Sequence, residues 1–160
     1  MHTRNSIITI LATLLLSLWL MESCRKNKVE LTAYPVSFPA HFPATSYYQN
    51  NPITKEGFEL GRRLFYDQRF SKDGTISCGS CHEQRSAFGT YDHDLSHGVD
   101  GAHGIRNAMS LFNLAWQTSF GWDGKYSSMD AVYAAHISSP IEMGETVSNV
   151  INKLKADSRY

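Results

Sequence analysis

Apolar residues recur at helical three- and four-residue spacing in four stretches of the chain, and no segment alternates with period two. After Thr54, a residue suited to capping, Phe58, Gly61, Leu64 and Phe65 fall on one face, with Arg62 and Arg63 on the exposed side. Leu111, Leu114 and Ala115 predict a second helix after Arg106-Asn107. Met129, Val132, Tyr133 and His136 predict a third after Ser127-Ser128, and Val147, Val150, Ile151 and Leu154 a fourth from about Thr146. Asp67 to Gly74 reads as a polar turn region, and Cys78 to His82 opens a short helical turn. Residues 87–106, rich in glycine and holding His93, His97 and His103, keep no period and read as a long loop of the kind that wraps a ligand. The class expected is all-α with long connections.

The N-terminal pattern is of a different kind. Arg4 precedes the predominantly apolar, uncharged stretch Ile7–Leu20, whose 14 positions fall short of the roughly 20 that a membrane-spanning helix needs. Residues 1–23 therefore read as a secretory signal. Cys24 behind Ser23 suggests lipoprotein processing, with a lipid on its sulfur, although Glu22 is unusual at such a site. Residues 24–52, with Pro35, Pro39, Pro43 and Pro52 among polar and aromatic residues, read as a tether lying on the surface. Removing the signal leaves 137 residues, a single-domain length, so residues 53–160 are expected to form one domain.

Charge adds an exclusion. With 15 basic and 15 acidic side chains and no long run of either sign, nothing points to nucleic acid or to anionic lipid. The membrane enters only through the lipid anchor. Of three cysteines one belongs to the signal and two lie three positions apart, so no disulfide framework is expected.

Those two carry the chemistry. Cys78-Gly79-Ser80-Cys81-His82 has the pattern for covalent attachment of a c-type haem. Two residues between the cysteines let both sulfurs reach the vinyl groups on one porphyrin edge, and the adjacent histidine binds iron. Zinc would want two further ligands at comparable spacing, and a thioredoxin-like redox pair would want a βαβ context. Neither is present, and export supplies the compartment for haem attachment. For the sixth iron position His93, His97, His103 and His136 and Met109, Met129 and Met143 all stand as candidates, or none of them.

The segments Leu60-Gly61-Arg62-Arg63-Leu64-Phe65-Tyr66-Asp67, Ser77 to His82, Ala87-Phe88, Arg106-Asn107, Trp122-Asp123-Gly124-Lys125 and Pro140-Ile141-Glu142-Met143-Gly144 together resemble the N-terminal half of the bacterial di-haem cytochrome c peroxidases. The resemblance implies a cytochrome c-like haem domain that reduces hydrogen peroxide to water. Electrons would come from a small periplasmic donor, a cytochrome c or a copper protein, through a second haem. On that resemblance His82 matches the proximal ligand of the peroxidatic haem, Trp122 the tryptophan between the haems, Asn107 an asparagine that helps bind calcium, and Glu142 the distal acid. The implied location is the periplasm, with anchoring through Cys24.

The chain also departs from the pattern. Val99 stands where many members carry a histidine that blocks the peroxidatic iron, leaving His97 or His103 as substitutes. Val132 and His136 replace a glutamine and a proline ten and six residues before the distal acid. His136 thereby becomes a candidate to ligate iron or to share proton transfer. The second haem motif is missing, so the expectation is a fragment of a longer product. Two alternatives remain open: a single-haem electron carrier, and a di-haem enzyme oxidising a protein, like the one that builds the tryptophan-derived cofactor of methylamine dehydrogenase.

Overall fold

A computed structural model describes residues 30–160. The signal segment 1–23 and Cys24 lie outside the described residues.

Thr54, in extended backbone, accepts a hydrogen bond on its hydroxyl from the Gly57 N–H at 3.0 Å and starts helix α1, Lys55–Phe65. Glu59 and Arg62 pair along its exposed side. Helix α2, Cys78–Cys81, is a single turn. Ser128 accepts from the Ala131 N–H to start α3, Met129–Ser138, and Thr146 from the Asn149 N–H to start α4, Val147–Lys155. Among the described residues the β-structure amounts to isolated bridges, so the all-α expectation holds.

The helix expected over 111–115 is absent. In its place a single tight turn spans Leu114–Trp116, preceded by Asn113 in the left-handed region at φ 59°. The Met109 carbonyl bonds to the His82 ring, and the Ser110 hydroxyl to the Ala87 carbonyl. Backbone committed to such distant partners is not free to wind into a helix.

The proline-rich segment is largely exposed and fastened at intervals. The Tyr34 N–H donates to the Ile53 carbonyl, the Trp116 indole to the Pro43 carbonyl, and the Thr45 hydroxyl to the Ala115 carbonyl. Phe38 and Phe42 lie with ring centroids 5.1 and 4.8 Å from that of Trp116.

Ile137 of α3, Val150 of α4 and Met143 between them form the buried core, with Phe70, Ile76, Cys78 and Leu154 packed against it. The haem-motif turn is thus fastened to the helical core through its first cysteine. Two ionic contacts reinforce the helix ends. Lys153 pairs with Glu145 and also donates to the Ser71 carbonyl at 2.9 Å. Arg69 bridges Asp67 and Asp157.

A hairpin over 96–104 forms part of the long loop. His97 and His103 sit opposite each other, the Gly98 N–H donates to the Ala102 carbonyl, and the Gly104 N–H to the Ser96 carbonyl. Val99 at its tip is fully buried, and its N–H donates to the Glu142 carbonyl at 2.9 Å. Gly98 lies so close to the 141–142 backbone that a Cβ there would stand 2.0 Å from the Ile141 carbonyl oxygen. No helix among the described residues is long and apolar enough to cross a membrane.

Two stability outcomes follow from this packing. Gly98→Ala must push backbone against backbone, with an expected cost of about 3 kcal/mol. Gly61→Ala, in mid-helix with open space around it, should instead stabilise by about 0.5–1 kcal/mol. Urea unfolding of the haem-loaded variants measures both. The second outcome concerns acid. Lys153, the Thr146 N–H and the Asn149 amide hold the Glu145 carboxyl down to about 2. Its contribution is therefore complete above the ordinary carboxyl pKa, and is lost as the pH falls from that value towards about 2. The stability difference between the parent and Glu145→Gln should shrink over that interval and stay constant above it.

Candidate haem site

The cysteine turn is closed from within. The Ser77 N–H donates to the Ser80 hydroxyl at 3.1 Å, the two serine hydroxyls lie 3.2 Å apart, and the His82 N–H donates to the Cys78 carbonyl at 2.9 Å. The Tyr66 ring lies directly on Gly79, where a Cβ would meet it at 2.6 Å. Both thiols are free, and burial pushes the pKa of each up. The Cys81 sulfur lies 3.7 Å from the His97 carbonyl oxygen.

His82 is held by a clamp of two backbone carbonyls, its Nδ1 lying 2.8 Å from the Phe88 oxygen and 3.0 Å from the Met109 oxygen. A carbonyl only accepts, so Nδ1 carries the proton and Nε2 keeps its lone pair, the tautomer that ligates a metal. Burial also holds the ring's pKa below the ordinary histidine value, against the upward pull of those hydrogen bonds, which keeps it neutral.

The clamp strains the backbone. Ala87 and Phe88 both lie in the left-handed region, at φ 56° and 58°, a conformation unfavourable for residues with side chains. Hydrogen bonds from Phe88 N–H to the Glu83 carbonyl, from Gly89 N–H to the Ser86 carbonyl and from Glu83 N–H to the Gly89 carbonyl hold the turn closed. The Thr90 hydroxyl accepts from the Ala108 N–H at 2.7 Å, drawing the Met109 segment beside it.

A second pair of groups gathers near this histidine. His136, in the last turn of α3, places Nδ1 2.9 Å from Oε1 of Glu142, and both side chains are only half-buried. Burial alone would raise the Glu142 carboxyl. The hydrogen bonds from His136 and Ser139 and the charges of His136 and Lys125 outweigh it, so its pKa falls below the ordinary value. The charges of His136 and Glu142 both bear on His82, and that of Glu142 on Cys81.

Other residues singled out from the sequence lie differently. Trp122 is 55% exposed, and its indole N–H donates to the Asn107 carbonyl at 2.9 Å, so those two are neighbours. The rings of His93, His97 and His103 lie against one another on the exposed hairpin side, the first pair tilted and the second edge-on, with centroids 4.8 and 4.4 Å apart. Met143 belongs to the core. Among the described residues no group of three or more His, Cys, Asp or Glu side chains is arranged to hold a metal ion. Phe88 and Met109 were not legible as site residues, because they act through carbonyls that every residue possesses.

The donor set fits a c-type haem: two adjacent thiols, and an imidazole with its free nitrogen unprotonated and its ring immobilised. Comparison with known proteins agrees. The family model described as di-haem cytochrome c peroxidase matches residues 55–160. Methylamine utilization protein MauG of Methylorubrum extorquens is 35% identical over 116 residues, covering 69% of this chain and 31% of MauG. Cytochrome c peroxidase Ccp of Escherichia coli is 33% identical over 135 residues, covering 82% of this chain and 29% of the enzyme. The crystal structure of a MauG-like protein associated with microbial copper homeostasis superposes with a TM-score of 0.71 at 35% identity, over 80% of this chain and 38% of that one. The chain thus spans about a third of the length of the curated relatives it matches. By its matched motifs and its helical fold, the chain belongs to the di-haem cytochrome c peroxidase family, whose members are oxidoreductases carrying covalent haem c.

Proposed function

We propose that this chain is the peroxidatic haem domain of a di-haem enzyme, and that it reduces hydrogen peroxide to water with electrons from a small periplasmic cytochrome c or copper protein. The observation that carries this reading is the His82 clamp, with a carboxylate–imidazole pair close enough for its charges to be felt at the same ring. Cys78 and Cys81 would hold the haem by thioether bonds and His82 would ligate its iron through Nε2. The haem supplies a redox-active iron for peroxide cleavage.

The protein's own part is to fix the group and to handle protons. The two-carbonyl clamp keeps the imidazole from turning, so its ligating nitrogen is oriented in advance. Peroxide has to lose a proton from one oxygen and regain one on the other, so that water departs rather than hydroxide. Glu142, hydrogen-bonded to His136, is the carboxylate on which that exchange depends. Trp122, exposed and hydrogen-bonded to the Asn107 backbone, is assigned to electron entry from the second haem. The family resemblance supports Asn107 as a calcium donor, export to the periplasm, and lipid anchoring through Cys24, with 24–52 as tether and 53–160 as the haem domain. A second reading, oxidation of a protein substrate, draws on the 35% identity to MauG. Single-haem electron transfer is the third, and the nearby Glu142–His136 pair speaks against it.

Protein matured with the haem-ligation machinery should keep its haem through acid-acetone extraction, and Cys78→Ala with Cys81→Ala should release it. Gly79→Ala, which forces the Tyr66 ring away from the turn, should lower the covalently attached fraction; a fraction equal to the parent's would mean that the turn tolerates the displacement. Glu142→Gln should slow the reaction with peroxide by about 10²–10⁴-fold at unchanged haem content, read by stopped-flow absorbance. In a protein that also carries the second haem domain, Trp122→Phe should slow inter-haem electron transfer while fold and haem content stay constant.

A further inference from the structure

The proton chemistry of this site involves a second side chain that the family pattern does not contain. His136 stands where members carry proline, and it is a single hydrogen bond from Glu142. An ionised carboxylate only accepts, so at 2.9 Å the imidazole Nδ1 carries the proton, and in the neutral ring Nε2 is the nitrogen that keeps the lone pair. The carboxyl is itself pulled towards its ionised form by that contact, by Ser139 and by Lys125. In this arrangement Glu142 has no proton to give, and one of its oxygens is already engaged. Nε2 of His136 is the unengaged basic nitrogen of the pair.

The pair is also firmly mounted. The Glu142 N–H donates to the Ser139 carbonyl at 3.1 Å, the Gly144 N–H to the same carbonyl at 2.8 Å, and the Glu142 carbonyl accepts from the buried Val99. His136 is carried by α3, one residue before the core side chain Ile137. Both groups keep part of their surface open, with side-chain exposures of 45% and 37%, so a small substrate has access to them.

We propose that His136 is the catalytic base of this site, its Nε2 exchanging the peroxide proton, with Glu142 as the positioning residue that holds Nδ1 and so fixes the ring's orientation and tautomer. The inference rests on the peroxidatic reading and refines it. Nε2 takes the proton from one peroxide oxygen and the resulting imidazolium returns it to the other as the O–O bond breaks, so that this oxygen leaves as water. The full reaction consumes two electrons from the small donor and two protons from solvent, and yields two waters. Glu142→Gln, whose amide can turn either its oxygen or its nitrogen to Nδ1, slows the reaction by loosening the tautomer and orientation of that ring.

The test uses the haem-loaded chain and two probes. Hydrogen cyanide must surrender its proton to bind ferric haem as cyanide, so its association rate reports a nearby base without any turnover. His136→Asn keeps a side-chain donor for Glu142 but has no basic nitrogen. It should slow both cyanide association and the peroxide reaction by at least about 10²-fold, with haem content and ferric spin state unchanged. His136→Gln serves as the second variant should the asparagine protein fail to take up haem. A cyanide rate within about twofold of the parent's would overturn the proposal. So would a shift from low-spin to high-spin iron with faster binding, which would make His136 an iron ligand. If the cyanide effect is found but the parent does not react with peroxide, the base stands and the peroxidatic reading fails.

Discussion

The two carbonyls that grip Nδ1 of His82 set most of what surrounds them. For both to reach one ring nitrogen, residues 83–90 must double back through two consecutive left-handed residues, and residues 107–110 must run alongside in an open conformation. The chain bears that strain because each turn residue is hydrogen-bonded within the loop or to its neighbour. In exchange, a ring that would otherwise rotate and titrate is fixed as the neutral tautomer with its outer nitrogen free. A short cysteine turn sealed by two serines and seated on the core through Cys78 presents that histidine. Positioning of this quality is what a covalently held cofactor demands, since attachment at two sulfurs leaves the iron little latitude to seek its ligand.

The same principle operates beside it. Val99, buried at the tip of the 96–104 hairpin, binds the backbone of Glu142, and Gly98 packs against Ile141 with no room for a side chain. Where the family resemblance would place an iron-blocking histidine, this chain has a buried valine whose N–H holds the Glu142 backbone. The histidines of the hairpin meanwhile pack against one another at the exposed side, and His97 turns its carbonyl, not its ring, towards Cys81. His136, where the resemblance would place a proline, sets an imidazole against Glu142. That imidazole is carried by the last turn of a helix, whereas the hairpin histidines sit on a loop.

Few apolar side chains are fully buried, and ionic contacts accordingly close the ends of the helical core. Glu145 joins the start of α4 to Lys153, which reaches back to the carbonyls of Arg69 and Ser71. Asp67, Arg69 and Asp157 tie the end of α1 to the segment after α4. These contacts hold α4 against the turn before the haem motif, so the carboxylates that stabilise the fold also help to keep Cys78 seated.

The sequence by itself determined the haem motif, three of the four expected longer helices with the cap at Thr54, and the family, because each of these rests on local periodicity, on capping chemistry or on a fixed order of side-chain types. It also singled out Glu142, and His136 six residues before it, as candidates for proton transfer, and the structure sets the two in hydrogen-bond contact. The helix expected over 111–115 failed because the carbonyl of Met109 and the hydroxyl of Ser110 serve partners more than twenty residues away, and periodicity carries no record of such long-range demands. Only the tertiary structure decided which nitrogen of His82 is free, that Val99 is a buried peg, and that the loop histidines face one another. Backbone carbonyls, tautomers and the packing of one loop on another arise when distant segments meet, and no side-chain pattern along the chain encodes them.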